Sequence, residues 1–193
     1  MSQGRLERRA AMATLLEGRG DDLLVVPGLG STAWDAAAAG DNDRNFYLWG
    51  AMGGAAMIGL GLALAQPDKC VAVITGDGEM LMGLGALATI GIQRPGNLAV
   101  IVFDNGVYGE TGMQPSHTQS GVDLLKVAGA CGIDPCLDVR DEAALADLAR
   151  RLKGLHTTLF ARVLIEASEP SRVLPERDGV VLKQRFRAAI GVN

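Results

Sequence analysis

Cys70-Val71-Ala72-Val73-Ile74-Thr75, running straight into Gly76-Asp77-Gly78-Glu79, is the stretch on which the fold turns. A continuous apolar run of this length reads as a strand buried on both faces. A helix is predicted beyond the Gly-Asp-Gly turn, with Leu81, Leu84, Leu87 and Ala88 on one face, until Arg94-Pro95-Gly96-Asn97 breaks it. Leu98 to Phe103 is a second buried strand, ending in Asp104-Asn105-Gly106.

The same alternation extends in both directions. Upstream, Leu23 to Val26 is a buried strand ending at Pro27-Gly28, and Ser31 or Thr32 is expected to cap a short helix through Ala39. An opening helix is predicted over Arg5 to Leu16, and another over Ala56 to Gln66, ending at Pro67. Downstream, Asp123 to Ala130 reads as helix, Leu137 to Val139 as a short strand, and Asp141 to Leu152 as a capped amphipathic helix with Leu145, Leu148 and Leu152 inward. Phe160 to Ile165 is a further strand, and Pro175 to Arg187 a charged surface helix that could pack on a partner. The class expected is α/β: a three-layer, open, mostly parallel sheet with helices on both faces, built as one domain over residues 1–193.

Composition agrees. A chain of 193 residues has room for one domain with a sizeable core. Its 48% hydrophobic and 21% charged residues exclude a disordered scaffold. A net charge of -4 leaves no basic excess for a phosphate backbone, so nucleic acid is not expected as a partner. Cys70, Cys131 and Cys136 have no CxxC spacing and no histidines nearby to complete a zinc site, and they read as reduced cysteines of a cytoplasmic protein. The first 22 residues contain no apolar signal region. Asn45 to Pro67 carries no charge and approaches the length of a membrane span. Its five glycines and the flanking Arg44 and Asp68 favour a buried glycine-rich loop and helix, with no membrane expected.

Ligands of open α/β sheets bind beyond the carboxyl ends of the strands. There Gly76-Asp77-Gly78-Glu79 places a carboxylate between two glycines at a strand-to-helix turn, whose N–H groups suit an anion. Asn105 ends the neighbouring strand, and the intervening helix and strand bring it beside Asp77. A hard cation such as Mg²⁺ takes about six oxygens, some from substrate phosphates, so this carboxylate, this amide and a loop carbonyl would suffice. Val107 to Ser120 has no period and reads as an ordered functional loop. In it His117 could meet an anionic group or shuttle a proton, and Glu110, Thr111 and Gln114 could line a substrate or merely cap a turn.

These motifs resemble those of thiamine diphosphate-dependent enzymes, over about Leu23 to Ala167. Gly76-Asp77-Gly78 with Asn105 looks like the family's cofactor motif, Gly50-Ala51-Met52-Gly53 like its pyrimidine-holding segment, and Asn105 to Pro115 like the loop of phosphonopyruvate and sulfopyruvate decarboxylases. The resemblance covers only the family's diphosphate-binding domain. It implies that Asp77, Asn105 and the Val107 carbonyl ligate Mg²⁺, and that Gly76, Gly78, Glu79, Tyr108 and Gly109 surround the diphosphate. Gly50 would accept a hydrogen bond from the cofactor's amino group, and Met52 would enforce its bent shape. Many relatives have a small residue at Glu79, whose charge should therefore point away from the phosphates.

The activity implied is non-oxidative loss of CO₂ from a small 2-oxo acid through a thiazolium ylid. A glutamate supplied in this family by a pyrimidine-binding domain has no place in this chain. A partner subunit is therefore expected to provide it, in an α2β2 or larger assembly. The same domain also serves carboligases of the acetolactate synthase type and 2-oxo acid oxidoreductases, and a non-catalytic regulatory subunit could keep the fold. A nucleotide-binding domain would need a Walker lysine or a GxGxxG fingerprint, which Pro27-Gly28-Leu29-Gly30-Ser31 does not satisfy.

Overall fold

The structure, a computed structural model, describes residues 4–192. The chain begins with α1 (Arg8–Leu16), β1 (Leu23–Pro27), α2 (Ser31–Ala38), α3 (Ala55–Ala65) and β2 (Cys70–Gly76). It continues through α4 (Asp77–Met82), α5 (Ala86–Gln93) and β3 (Leu98–Asp104) to β4 (Val107–Tyr108) and β5 (Gln114–Pro115), which flank a single 3-10 turn. Then come α6 (Leu124–Ala130), β6 (Cys136–Val139), α7 (Glu142–Leu152), β7 (Leu159–Leu164) and α8 (Gly179–Ala189).

Five strands form one parallel sheet in the order β1-β2-β3-β7-β6. Every residue of β1 and β3 is buried, because both faces of the sheet are covered. Alternate side chains serve different layers. Val25, Ala72, Ile74, Ile101 and Phe103 join α1 and α7 on one side, while Val26, Val73, Val100 and Val102 join α3 and α5 on the other. Gly76 lies opposite Phe103 in the ladder, so Asp77 and Asp104 leave neighbouring strands at the same end.

The helix predicted across 79 to 93 is instead two helices, parted at Gly83-Leu84-Gly85. The space a Gly83 side chain would need is filled by the carbonyl of Gly53, from a turn thirty residues away in sequence. The opening helix starts at Arg8, not Arg5, because the Glu7 carboxylate caps it by accepting from the N–H groups of Arg9 and Ala10. Leu6 pairs instead with Ile165 as a parallel bridge at the end of β7. Neither Ser31 nor Thr32 caps α2: its N-cap is Gly30, at a φ of 77°, and the Thr32 hydroxyl donates to the Gly28 carbonyl at 3.0 Å. The uncharged stretch at 45–67 holds α3, with 11 residues, and no helix among the described residues is long and apolar enough to cross a membrane.

The outer edge of β1 is covered by the chain itself. Val25 bridges Asn45, and α8 packs alongside through Leu182 and Phe186, whose ring meets Phe46 edge-on at 5.3 Å. The tail thus packs on its own chain. Arg185 donates to both carboxylate oxygens of Asp41, at 2.7 and 3.0 Å, and Tyr47 donates to the same carboxylate at 2.9 Å. Burial pushes the Asp41 carboxyl up, but the hydrogen bonds from Arg185 and Tyr47 outweigh it and hold it below the usual carboxylate range. A carboxyl depressed in the folded state stabilises above its unfolded pKa and loses that contribution as pH falls through the folded value. Asp41→Asn should therefore cost about 0.5–1 kcal/mol at pH 7 and almost nothing near pH 2, read from urea midpoints at the two pH values.

Candidate active site

Asp77 opens α4 at the carboxyl end of β2 and is 2% exposed. Its Oδ2 accepts from the Ser116 hydroxyl at 2.5 Å. The Thr118 hydroxyl stands 3.1 Å from that oxygen and 2.9 Å from Asp104 Oδ1, so one hydroxyl spans two buried carboxylates. Burial pushes the Asp77 carboxyl up, Ser116 and Thr118 oppose the shift, and the nearby Asp104 charge reinforces it. Asp104 also accepts from the Gly106 N–H at 3.0 Å, closing the sharp turn that follows β3. Within that turn Asn105 Oδ1 accepts from the Val107 N–H at 2.9 Å, and its main-chain carbonyl accepts from Arg5 Nη1 at 3.0 Å.

Asp77, Gly76, Gly78, Glu79, Asn105 and Val107 line one cavity of about 400 Å³ beyond the strand ends. Tyr108 and Gly109 complete the loop wall, and the Tyr108 ring occupies the space that a side chain at Gly78 would need, 2.9 Å away. Met52 lies in the same lining and is 45% exposed. The turn that presents it is strained, since Ala51 adopts a left-handed φ of 57° and its carbonyl accepts from the Gly54 N–H at 2.8 Å. Gly50 is exposed beside Met52 and outside the lining.

His117 stands apart from the cavity. It is exposed, and its Nδ1 lies 2.6 Å from the Tyr108 hydroxyl, so it reaches the cavity only through Tyr108. Glu110 and Thr111 do line the cavity, whereas Gln114 is turned back to donate to the Thr111 carbonyl at 2.8 Å. The Glu79 carboxylate accepts from the Thr75 hydroxyl at 2.7 Å and the Leu29 N–H at 3.0 Å. Burial pushes its carboxyl up, against those two donors and the neighbouring Gly53 and Ala55 N–H groups.

Two walls were not legible in the sequence. Leu29 enters from the β1–α2 connection, Ser31 and Trp34 from the first turns of α2, and Ser168 to Arg172 cross from the end of β7. That second segment is pinned by Arg8 donating to the Ser168 carbonyl at 3.0 Å, by Arg9 donating to the Ser171 carbonyl, and by Arg172 lying 4.4 Å over the Trp34 ring. Arg8 is itself paired with buried Asp35 at 2.6 Å. Glycines following the first strand were the available signal for Ser31, because that strand lies in the same sheet.

The donor set suits a hard cation held jointly with a ligand. No group of three or more His, Cys, Asp or Glu residues forms a metal cage among the described residues. The oxygens of Asp77, Asn105 and Val107 would leave about half of an octahedral shell to ligand phosphate or water. A cation there would also relieve the repulsion between Asp77 and Asp104.

Residues 30–163 match the family model described as "Thiamine pyrophosphate enzyme, C-terminal TPP binding domain". The chain is 38% identical over 181 residues to sulfopyruvate decarboxylase subunit beta of Methanocaldococcus jannaschii, covering 91% of this chain and 93% of that protein. It is 39% identical over 193 residues to phosphonopyruvate decarboxylase of Streptomyces viridochromogenes, covering 98% of this chain but only 47% of that longer protein. The fold matches a solved thiamin diphosphate-dependent enzyme structure from Mycobacterium smegmatis with a TM-score of 0.69 at 20% identity, over 84% of this chain and 32% of that one. Since the family match spans the strand ends that build the cavity, this chain belongs to the thiamine pyrophosphate enzymes, as their C-terminal, cofactor-binding domain.

Proposed function

We propose that this chain is the diphosphate- and Mg²⁺-binding subunit of a cytoplasmic, two-chain thiamine diphosphate-dependent decarboxylase acting on sulfopyruvate or phosphonopyruvate. The observation that carries this reading is the convergence of Asp77 and Asn105 at adjacent strand ends on a cavity that also contains Met52. Similarity to a beta subunit over almost its whole length, and to about half of a longer decarboxylase, supports a division of the active site between two chains. The three free cysteines suit a reducing compartment.

Thiamine diphosphate supplies, when bound, an electron sink for the pair left behind by departing CO₂. The Asp77 carboxylate, the Asn105 side-chain amide and the Val107 carbonyl would hold the cation. The N–H groups of Gly78 and Glu79, at the start of α4, face the diphosphate. The Gly50 carbonyl would receive the pyrimidine amino group, and the Met52 thioether would support the ring from a turn in which Ala51 takes a left-handed φ of 57°. Tyr108, with its hydroxyl held by His117, would pack its ring against the bound group from the loop wall. These roles predict turnover only with a partner chain. Carbon dioxide release from sulfopyruvate, phosphonopyruvate and pyruvate by the purified assembly tests the reading. One anionic substrate should exceed pyruvate by at least about tenfold. Cofactor binding with no release from any of the three would overturn it in favour of a regulatory subunit.

Exposed apolar side chains on the Met52 turn and the segments adjoining it support docking of the partner there. Met52, Met57 on α3 and Met82 at the end of α4 are 45%, 43% and 67% exposed, and the Gly53–Gly83 contact joins the two segments that bear them. Met82→Asp should leave the melting temperature of the isolated chain within about 1 °C and abolish co-elution with the partner in size-exclusion chromatography.

A further inference from the structure

We infer that Glu79 is a positioning residue that sets the three walls of the cofactor cavity relative to one another, an inference that rests on the function proposed above. Glu79 is only 5% exposed, and among the described residues no lysine, arginine or histidine pairs with it. Its carboxylate instead gathers donors from separate segments. Oε2 takes the Leu29 N–H from the β1–α2 connection and the Thr75 hydroxyl from β2. Oε1 has no full hydrogen bond, although the Gly53 and Ala55 N–H groups, at the turn carrying Met52, act on the same carboxylate. A buried carboxylate held only by neutral donors is costly, and it persists where the surroundings require it.

The packing around it is equally specific. A side chain at Gly28 would run into the Glu79 carboxylate and would come within 3.0 Å of the Thr75 hydroxyl. Gly28 has no left-handed φ, so conformation does not demand glycine there and the carboxylate does. Glu79 therefore occupies the point where the Leu29–Ser31 wall, the Met52 turn and the Asp77 turn meet. Glu79 lines the cavity, and its carboxylate, bound to Leu29 and Thr75, bears on the cofactor through Leu29, Met52 and Asp77.

The test uses the full chain in its purified assembly, titrated with thiamine diphosphate in excess Mg²⁺ and followed by Trp34 fluorescence, with a melting curve of each cofactor-free variant alongside. Glu79→Gln keeps the volume but opposes an amide N–H to the Leu29, Gly53 or Ala55 donors, and should weaken cofactor binding at least tenfold. Thr75→Val removes one donor and leaves the bridge between segments, so its loss should stay within threefold. Gly28→Ala should weaken binding like Glu79→Gln. Combined with Glu79→Ala, which vacates the space, it should add nothing to that single variant. The inference is overturned if Glu79→Gln lowers the melting temperature yet binds cofactor as wild type does, or if the effects of Gly28→Ala and Glu79→Ala simply add. Failure of the wild-type assembly to bind the cofactor at all would instead remove the underlying functional reading.

Discussion

Asp77→Ala should reduce thiamine diphosphate affinity in the presence of Mg²⁺ by more than about 100-fold, beyond the 10–100-fold typical of losing a residue that merely supports a metal ligand. Calorimetric titration with the partner chain present measures it. Stability should move the other way. The Asp77 carboxyl is pushed up by burial and by Asp104, so its ionised form costs folding free energy at neutral pH. A carboxyl raised in the folded state destabilises above its unfolded pKa, and removing the charge relieves that cost. Asp77→Asn can still accept from Ser116 and Thr118, and is expected to melt no lower than wild type while losing the cofactor. Opposite changes in stability and binding are the signature of a charge kept for function. A large fall in the melting temperature of Asp77→Asn would show that the carboxylate serves the fold.

Gly83→Ala should produce the largest loss of stability, about 2–3 kcal/mol, or roughly 5–10 °C in melting temperature for a chain of this size. Gly83 has a φ of -95°, which alanine accepts readily, so the whole cost arises from overlap of the new methyl with the Gly53 carbonyl. Gly53 has little room to retreat, because its φ of 88° leaves it in a glycine-only conformation between Met52 and the start of α3. Relief must therefore come from moving the turn, which would carry Met52 out of the cavity. Cofactor affinity should fall together with stability. A variant that melts 5 °C lower but binds cofactor unchanged would show that the turn and α4 move as one body.

Residues adjacent in sequence made the centre of the site legible. Gly76-Asp77-Gly78 and Asn105 follow buried strands without a gap, and parallel pairing of those strands brings them together with few alternatives. The sheet was readable for the same reason: β1, β2 and β3 are apolar runs that end at or beside proline, glycine or asparagine, and β7 is a mostly apolar run interrupted only by Arg162. Long-range contacts stayed hidden. Gly83 and Gly85 weaken the helix between Leu81 and Ile90, but nothing there announces that Gly53 packs into the break, and nothing near Ser168 announces that Arg8, Arg9 and Trp34 will draw that segment over the cavity. His117 was placed by its loop and not by its contacts. A histidine in a polar functional loop invited a direct role, but β4–β5 pairing brings Tyr108 to the cavity and leaves the histidine outside it.

Native mass spectrometry of the tagged chain, purified from its own host in Mg²⁺ and thiamine diphosphate, is the most direct measurement. The expected result is a complex with a second chain that carries the mass of the cofactor and metal and loses both in the Asp77→Ala variant. A chain that travels alone and free of cofactor at saturating thiamine diphosphate would contradict the assignment of this cavity as half of a shared active site.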